Sequence, residues 1–144
     1  MNPIEVLREG AAELTSIIGP EGFTFVETGS GVSSGGHYAS GEFRRADRRL
    51  ELHVRWSLGL VTYHLGSESL NHEDLTRAVA ATQHLEESAQ YPGFSDRPLD
   101  GFRHLGADLV RLGRVFTQGT AEEFSVLVAW VRQHPKPKGL AALQ

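Results

Sequence analysis

Residues 37–45, 49–56 and 60–66 alternate apolar and polar side chains, and only short turns separate the three stretches. A period of two marks strands with one buried and one wetted face, and connections this short join antiparallel neighbours. A one-residue slip would turn every side chain to the wrong face, so the apolar set selects the pairing. On that criterion Phe43 faces Leu50, Gly41 faces Leu52 and Ala39 faces Val54 in the first hairpin. In the second, Trp56 faces Val61, Val54 faces Tyr63 and Leu52 faces Leu65. Leu58-Gly59 is not a favoured tight turn, so residues 57–60 are expected to form a wider loop.

Helical periodicity flanks this meander. Ile4, Leu7, Ala11, Leu14, Ile17 and Ile18 recur at three- and four-residue steps behind a candidate N-cap, Asn2, and a helix-opening Pro3. Gly19-Pro20 ends that helix, and a strand is expected from Phe23 through Glu27. The glycine- and serine-rich stretch 28–36 reads as a mobile loop. Beyond the meander, Asn71 caps a helix expected to reach about residue 88, and residues 90–98 form an aromatic, turn-rich connection in which Tyr91 and Phe94 are expected to lie over a sheet edge or helix seam. A third helix buries Phe102, Leu105, Leu109, Leu112 and Phe116, and a fourth starts at the capping box Thr120-Ala-Glu-Glu123 and buries Phe124, Leu127, Val128 and Val131. The expected fold is therefore α+β: an N-terminal helix, a four-stranded antiparallel meander, then three C-terminal helices packed on one sheet face. Residues 1–134 read as a single domain and 135–144 as a flexible C-terminal tail.

Composition narrows the function classes. The 144-residue chain has no cysteine, which excludes disulfide frameworks, thiolate metal sites and cysteine nucleophiles. A formal charge of −4 argues against nucleic-acid binding, and no stretch has the length and apolarity of a membrane span or a signal peptide, so a cytoplasmic location without membrane partners is expected.

The strand phases place Tyr38, Ser40, Glu42, Glu51, His53, Arg55, Thr62 and His64 on the sheet face away from the core. The expected registers set Ser40, His53 and His64 in one cross-strand row and Tyr38, Arg55 and Thr62 in another. Imidazoles that close can share a proton, hold an anion when charged or, with Glu51, ligate a metal. Arg44, Arg45, Arg48 and Arg49 gather at a hairpin tip and are candidates for binding an anion, although arginines also guard strand ends against edge pairing. On the third helix Asp100, His104 and Asp108 follow one another at four-residue steps, which reads as a solvated face opposite the apolar stripe. No specific metal-ligand spacing or nucleotide-binding loop occurs, so neither metal nor cofactor is expected.

Residues 34–45 (Ser-Gly-Gly-His-Tyr-Ala-Ser-Gly-Glu-Phe-Arg-Arg), 49–66 and 91–105 (opening Tyr-Pro-Gly-Phe-Ser-Asp-Arg-Pro) together resemble a group of small uncharacterised bacterial single-domain proteins. That resemblance implies a bacterial single-domain protein and carries no activity with it. Immunity proteins that neutralise toxins offer a fold-level analogy among small bacterial α+β proteins. The resulting expectation is a non-enzymatic binding module that takes a protein partner or a small anionic ligand on the polar sheet face. Tyr38, Ser40, Glu51, His53, Arg55, Thr62 and His64 are its candidate binding residues, with no catalytic residue assigned. The alternatives are a metal-dependent hydrolase with a His/Glu site and a structural homodimer.

Overall fold

A computed structural model describes residues 1–87 and 97–136. Helix α1 (Pro3–Ile18) begins at a capping box in which Asn2 accepts from the Glu5 amide at 3.0 Å and Glu5 accepts from the Asn2 amide at 3.2 Å. These bonds satisfy amides that an uncapped helix start leaves open. The helix buries Val6, Leu7, Ala11, Leu14 and Ile18. A 3₁₀ turn (Gly19–Glu21) then leads into the sheet.

The sheet is antiparallel and has five strands in sequential order: β1 (Thr24–Ser33), β2 (Gly36–Arg45), β3 (Arg48–Val54), β4 (Leu58–Leu65) and β5 (Glu68–Asn71). Two features of its strand content depart from expectation. The stretch 28–36 is not a loop: β1 runs through it to Ser33 and pairs with β2, the glycines being tolerated because a bulge between Glu27 and Gly29 re-phases the strand. β5 was not anticipated, because its four residues are too few to display a period of two and end directly in the helix cap Asn71.

Helix α2 (His72–Gln83) starts where the Asn71 side chain accepts from the Asp74 amide at 2.8 Å, and it stops earlier than its sequence suggests, at a left-handed His84. Helix α3 (Asp100–Leu112) and the short α4 (Arg114–Thr117) are separated at Gly113, and α5 (Ala121–Gln133) follows the expected Thr120/Glu123 capping box. The aromatic connection around Tyr91 and Phe94 and the last residues of the tail lie outside the described residues.

One core unites the helices with the inward-facing strand residues, among them Ala39, Phe43, Leu50, Leu52, Val54, Tyr63, Leu65 and Leu70. Phe23, Tyr63, Phe116 and Phe124 carry the aromatic contacts between sheet and helices: Tyr63 meets Phe116 edge-on at 4.9 Å, and Phe116 stacks with Phe23 at 5.6 Å. Gly10 lets α1 approach α3, since a Cβ there would fall 2.4 Å from the Phe102 ring. Side chains of the opposite phase, from Ser40 and Glu42 through Glu51, His53 and His64, lie outside this apolar cluster, Ser40 and Glu42 being buried on their own side of the sheet. Among the described residues no helix is long and apolar enough to cross a membrane.

Candidate functional site

The first hairpin pairs as the apolar pattern requires, with Ala39 opposite Val54, Gly41 opposite Leu52 and Phe43 opposite Leu50. The second does not. Leu52 faces Val61 rather than Leu65, Leu50 takes Tyr63, and Val54 pairs with Leu58 across an irregularity beside His53. The chain turns earlier than expected, at Arg55 to Ser57, where the Arg55 amide donates to the Ser57 carbonyl at 3.2 Å. That early turn takes Leu58-Gly59 out of the unfavourable turn position and leaves Trp56 outside the ladder. The displacement is an even number of residues, so the outward face keeps its members while its rows change.

His53 now lies opposite Leu60, Thr62 opposite Glu51, and His64 opposite Arg49. Ser40 faces His53 as expected but His64 does not join their row, yet both imidazoles reach one carboxylate. His53 Nε2 is 2.5 Å from Glu51 Oε2, and His64 Nε2 is 2.7 Å from Glu51 Oε1. The hydrogen bond from His53, reinforced by that from His64 and opposed by partial burial, holds the Glu51 carboxyl below its ordinary range. Ser40 accepts from Thr28 at 2.9 Å across the β1 bulge.

The four hairpin arginines do not form one clamp. Arg44 and Arg49 (2.8 Å) lie on the outer face and flank Glu42, whose carboxylate is 5% exposed. Arg45 instead stacks over Phe23 at 4.6 Å and donates to the Glu21 carbonyl at 2.5 Å. Arg48 donates to the carbonyls of Phe116 (2.7 Å) and Gly119, tying the hairpin to the α4 region. Both thereby pair with backbone carbonyls in partly buried surroundings.

Toward the β3–β4 turn the outer face changes character. Arg55 donates to the Gly36 carbonyl at 3.1 Å and to Ser33 Oγ at 3.0 Å, and its guanidinium lies 6.0 Å from the centre of the Tyr38 ring. Tyr38, His53, Arg55, Trp56 and Leu60 border an open hollow of about 430 Å³. Within it Trp56 is 49% exposed and Leu60 68% exposed. Trp56 and Leu60 escape notice in the sequence because the expected register makes Trp56 a core residue and leaves Leu60 in a loop.

A second constellation lies on the helical side. Tyr63 Oη is 2.8 Å from His72 Nδ1, His72 Nε2 is 2.8 Å from Asp108 Oδ2, and His104 Nε2 is 3.3 Å from the same oxygen. Burial, then the nearby Asp108 charge, pushes the Tyr63 hydroxyl well above its ordinary pKa, so it remains a donor. A His72 tautomer that donates from Nε2 to the Asp108 carboxylate accepts the Tyr63 hydrogen bond at Nδ1. The solvated-face reading of Asp108 is corrected: the residue is 5% exposed. The signal was present, since Asp108 stands three residues after Leu105 and four before Leu112, which is the spacing of the buried stripe itself. Tyr63 carried another, because a tyrosine phased inward needs a partner for its hydroxyl.

Among the described residues no group of three or more imidazole and carboxylate side chains is arranged to hold a metal ion. Comparison of the chain with protein-family models, with curated proteins and with solved structures finds no match.

Proposed function

We propose that the protein is a binding module that docks an acidic protein surface on the end of its outer sheet face, at Tyr38, His53, Arg55, Trp56 and Leu60. The observation that carries this reading is the half-exposed Trp56 and the largely exposed Leu60 beside the Arg55 guanidinium, on a face whose residues take no part in the core. Tryptophan, tyrosine and arginine dominate the energetics of protein interfaces, and contiguous exposed apolar side chains mark contact surfaces. A guanidinium has more N–H donors than the Gly36 and Ser33 bonds use, so Arg55 keeps capacity for a carboxylate. Arg44 and Arg49 offset Glu42 on this face, and the Arg55 charge at its end has no carboxylate among its hydrogen-bond partners in the described residues, which favours an anionic partner. A small anion would need the donors but not the apolar rim, so a protein surface accounts for both.

Selection of a random linear-peptide display library on the immobilised protein tests the reading. Enrichment of sequences that combine Asp or Glu with large apolar residues supports it, as does retained binding in excess inorganic phosphate. Failure to enrich, or complete displacement by phosphate, overturns it. Light scattering on the same preparation addresses the homodimer alternative: a monomer keeps the face available, and a dimer that Trp56→Ala dissociates would make a second copy the occupant.

A further inference from the structure

The short fifth strand leaves a gap elsewhere in the molecule. β5 pairs with β4 only from Thr62 to Leu65, so Leu58 to Val61 have no fifth-strand neighbour. The N-terminal turns of α2 and α3 face that gap and enclose a half-open hollow of about 350 Å³. Leu58, Val61 and Leu105 supply apolar wall, Gly101 keeps α3 close to the strand, and His72 and His104 supply two imidazoles. A Cβ on Gly101 would sit 3.1 Å from Leu58 Cβ, so any larger residue there would intrude on the space. The hollow is at the lower end of the size range, roughly 300–1,000 Å³, of small-molecule sites.

Charge decides what fits. Asp108 behind the imidazoles is engaged by both of them, and Glu73 at the rim is paired with Lys136. The positive ends of the two helices are offset by acidic residues in their first turns, Glu73 and Asp74 in α2 and Asp100 in α3. A charged ligand would leave water without finding a counter-ion. Polar capacity of the neutral kind remains, because the Thr62 hydroxyl and the Asn71 amide nitrogen, both at the rim, make no hydrogen bond among the described residues. We infer that this hollow binds a small, uncharged and largely apolar molecule through one hydrogen-bonding group, with His72 and His104 held in place by Tyr63 and Asp108. This hollow shares Gly59 and Leu60 with the docking surface proposed above and is distinguished from it by its α2 and α3 walls, so its test is read on those walls and does not depend on that reading.

Three probes of one shape and different charge test it: naphthalene-2-carboxamide, 2-naphthoate and 2-naphthylmethylammonium, each titrated into the labelled protein by NMR at neutral pH. The expected result is saturable binding of the carboxamide at least tenfold tighter than of either ion, with shifts centred on the Val61, Gly101 and His104 amides. Gly101→Leu and, as a second filler, Val61→Phe should each weaken carboxamide binding at least tenfold. Equal or tighter binding of an ion, no carboxamide binding, or shifts centred elsewhere overturns the inference. The charge series on the unmodified protein decides it even if both variants fail to fold.

Discussion

Among the described residues two carboxylates each meet two imidazoles, and they differ in burial. Glu51 lies on the outer sheet face, its side chain 31% exposed, between His53 and His64. Asp108 lies between His72 and His104 with its side chain 6% exposed, and its chain of bonds continues to the fully buried Tyr63. Water can replace what Glu51 loses, whereas a group removed around Asp108 leaves polar atoms stranded. The same residue types thus tune a surface in one place and hold α2, α3 and the sheet together in the other.

Removing Asp108 should break that contrast most severely. Asp108→Ala is expected to cost about 3–5 kcal/mol in urea unfolding, from two hydrogen bonds to a charged group at roughly 1.5–3 kcal/mol each, because His72 and His104 lose their shared acceptor. Tyr63→Phe removes only the donor to His72 Nδ1 and should cost about 1–3 kcal/mol. Glu51→Gln, the matching change on the open face, should cost no more than about 1 kcal/mol at neutral pH. If Glu51→Gln proves as costly as Asp108→Ala, the distinction by burial fails.

The smallest effect is a pH dependence. The folded-state pKa of Glu51 is depressed, so its contribution to stability is fully present above its unfolded-state value and is lost as pH falls through the folded one. Urea unfolding followed from neutral pH down to about pH 3 should therefore show the wild-type advantage over Glu51→Gln shrinking with acidification. An advantage that grows on acidification would reverse the sign and contradict the assigned hydrogen bonds.

Much of this architecture is legible in the residues. Asn2, Pro3, Asn71 and the Thr120/Glu123 pair mark helix starts through local chemistry, and the structure realises each. Phe43, Leu50 and Leu52 establish the first hairpin because its apolar face admits one register. The second hairpin admits two, since an even shift keeps Val61, Tyr63 and Leu65 inward either way, and only turn geometry chooses between them. Tyr38, Ser40, Glu51, His53, Thr62 and His64 could be assigned to the outer face from phase alone, which an even shift preserves. The exposure of Trp56 depended on the register and could not, whereas Leu60 shares the phase of Thr62 and His64 and was obscured by the loop expected over 57–60. Asp108 was misread because its four-residue spacing to His104 was given more weight than its equally good spacing to Leu105 and Leu112.

The division between a holding constellation and a working face is tested most directly by measuring binding and stability on the same variant. Peptides selected on the wild type should bind Arg55→Ala/Trp56→Ala roughly 30-fold or more weakly, the effect of losing an interface hot spot of about 2 kcal/mol. The unfolding free energy of that variant should stay within about 1 kcal/mol of wild type. Undiminished affinity, or a loss of affinity that only accompanies unfolding, would contradict the account.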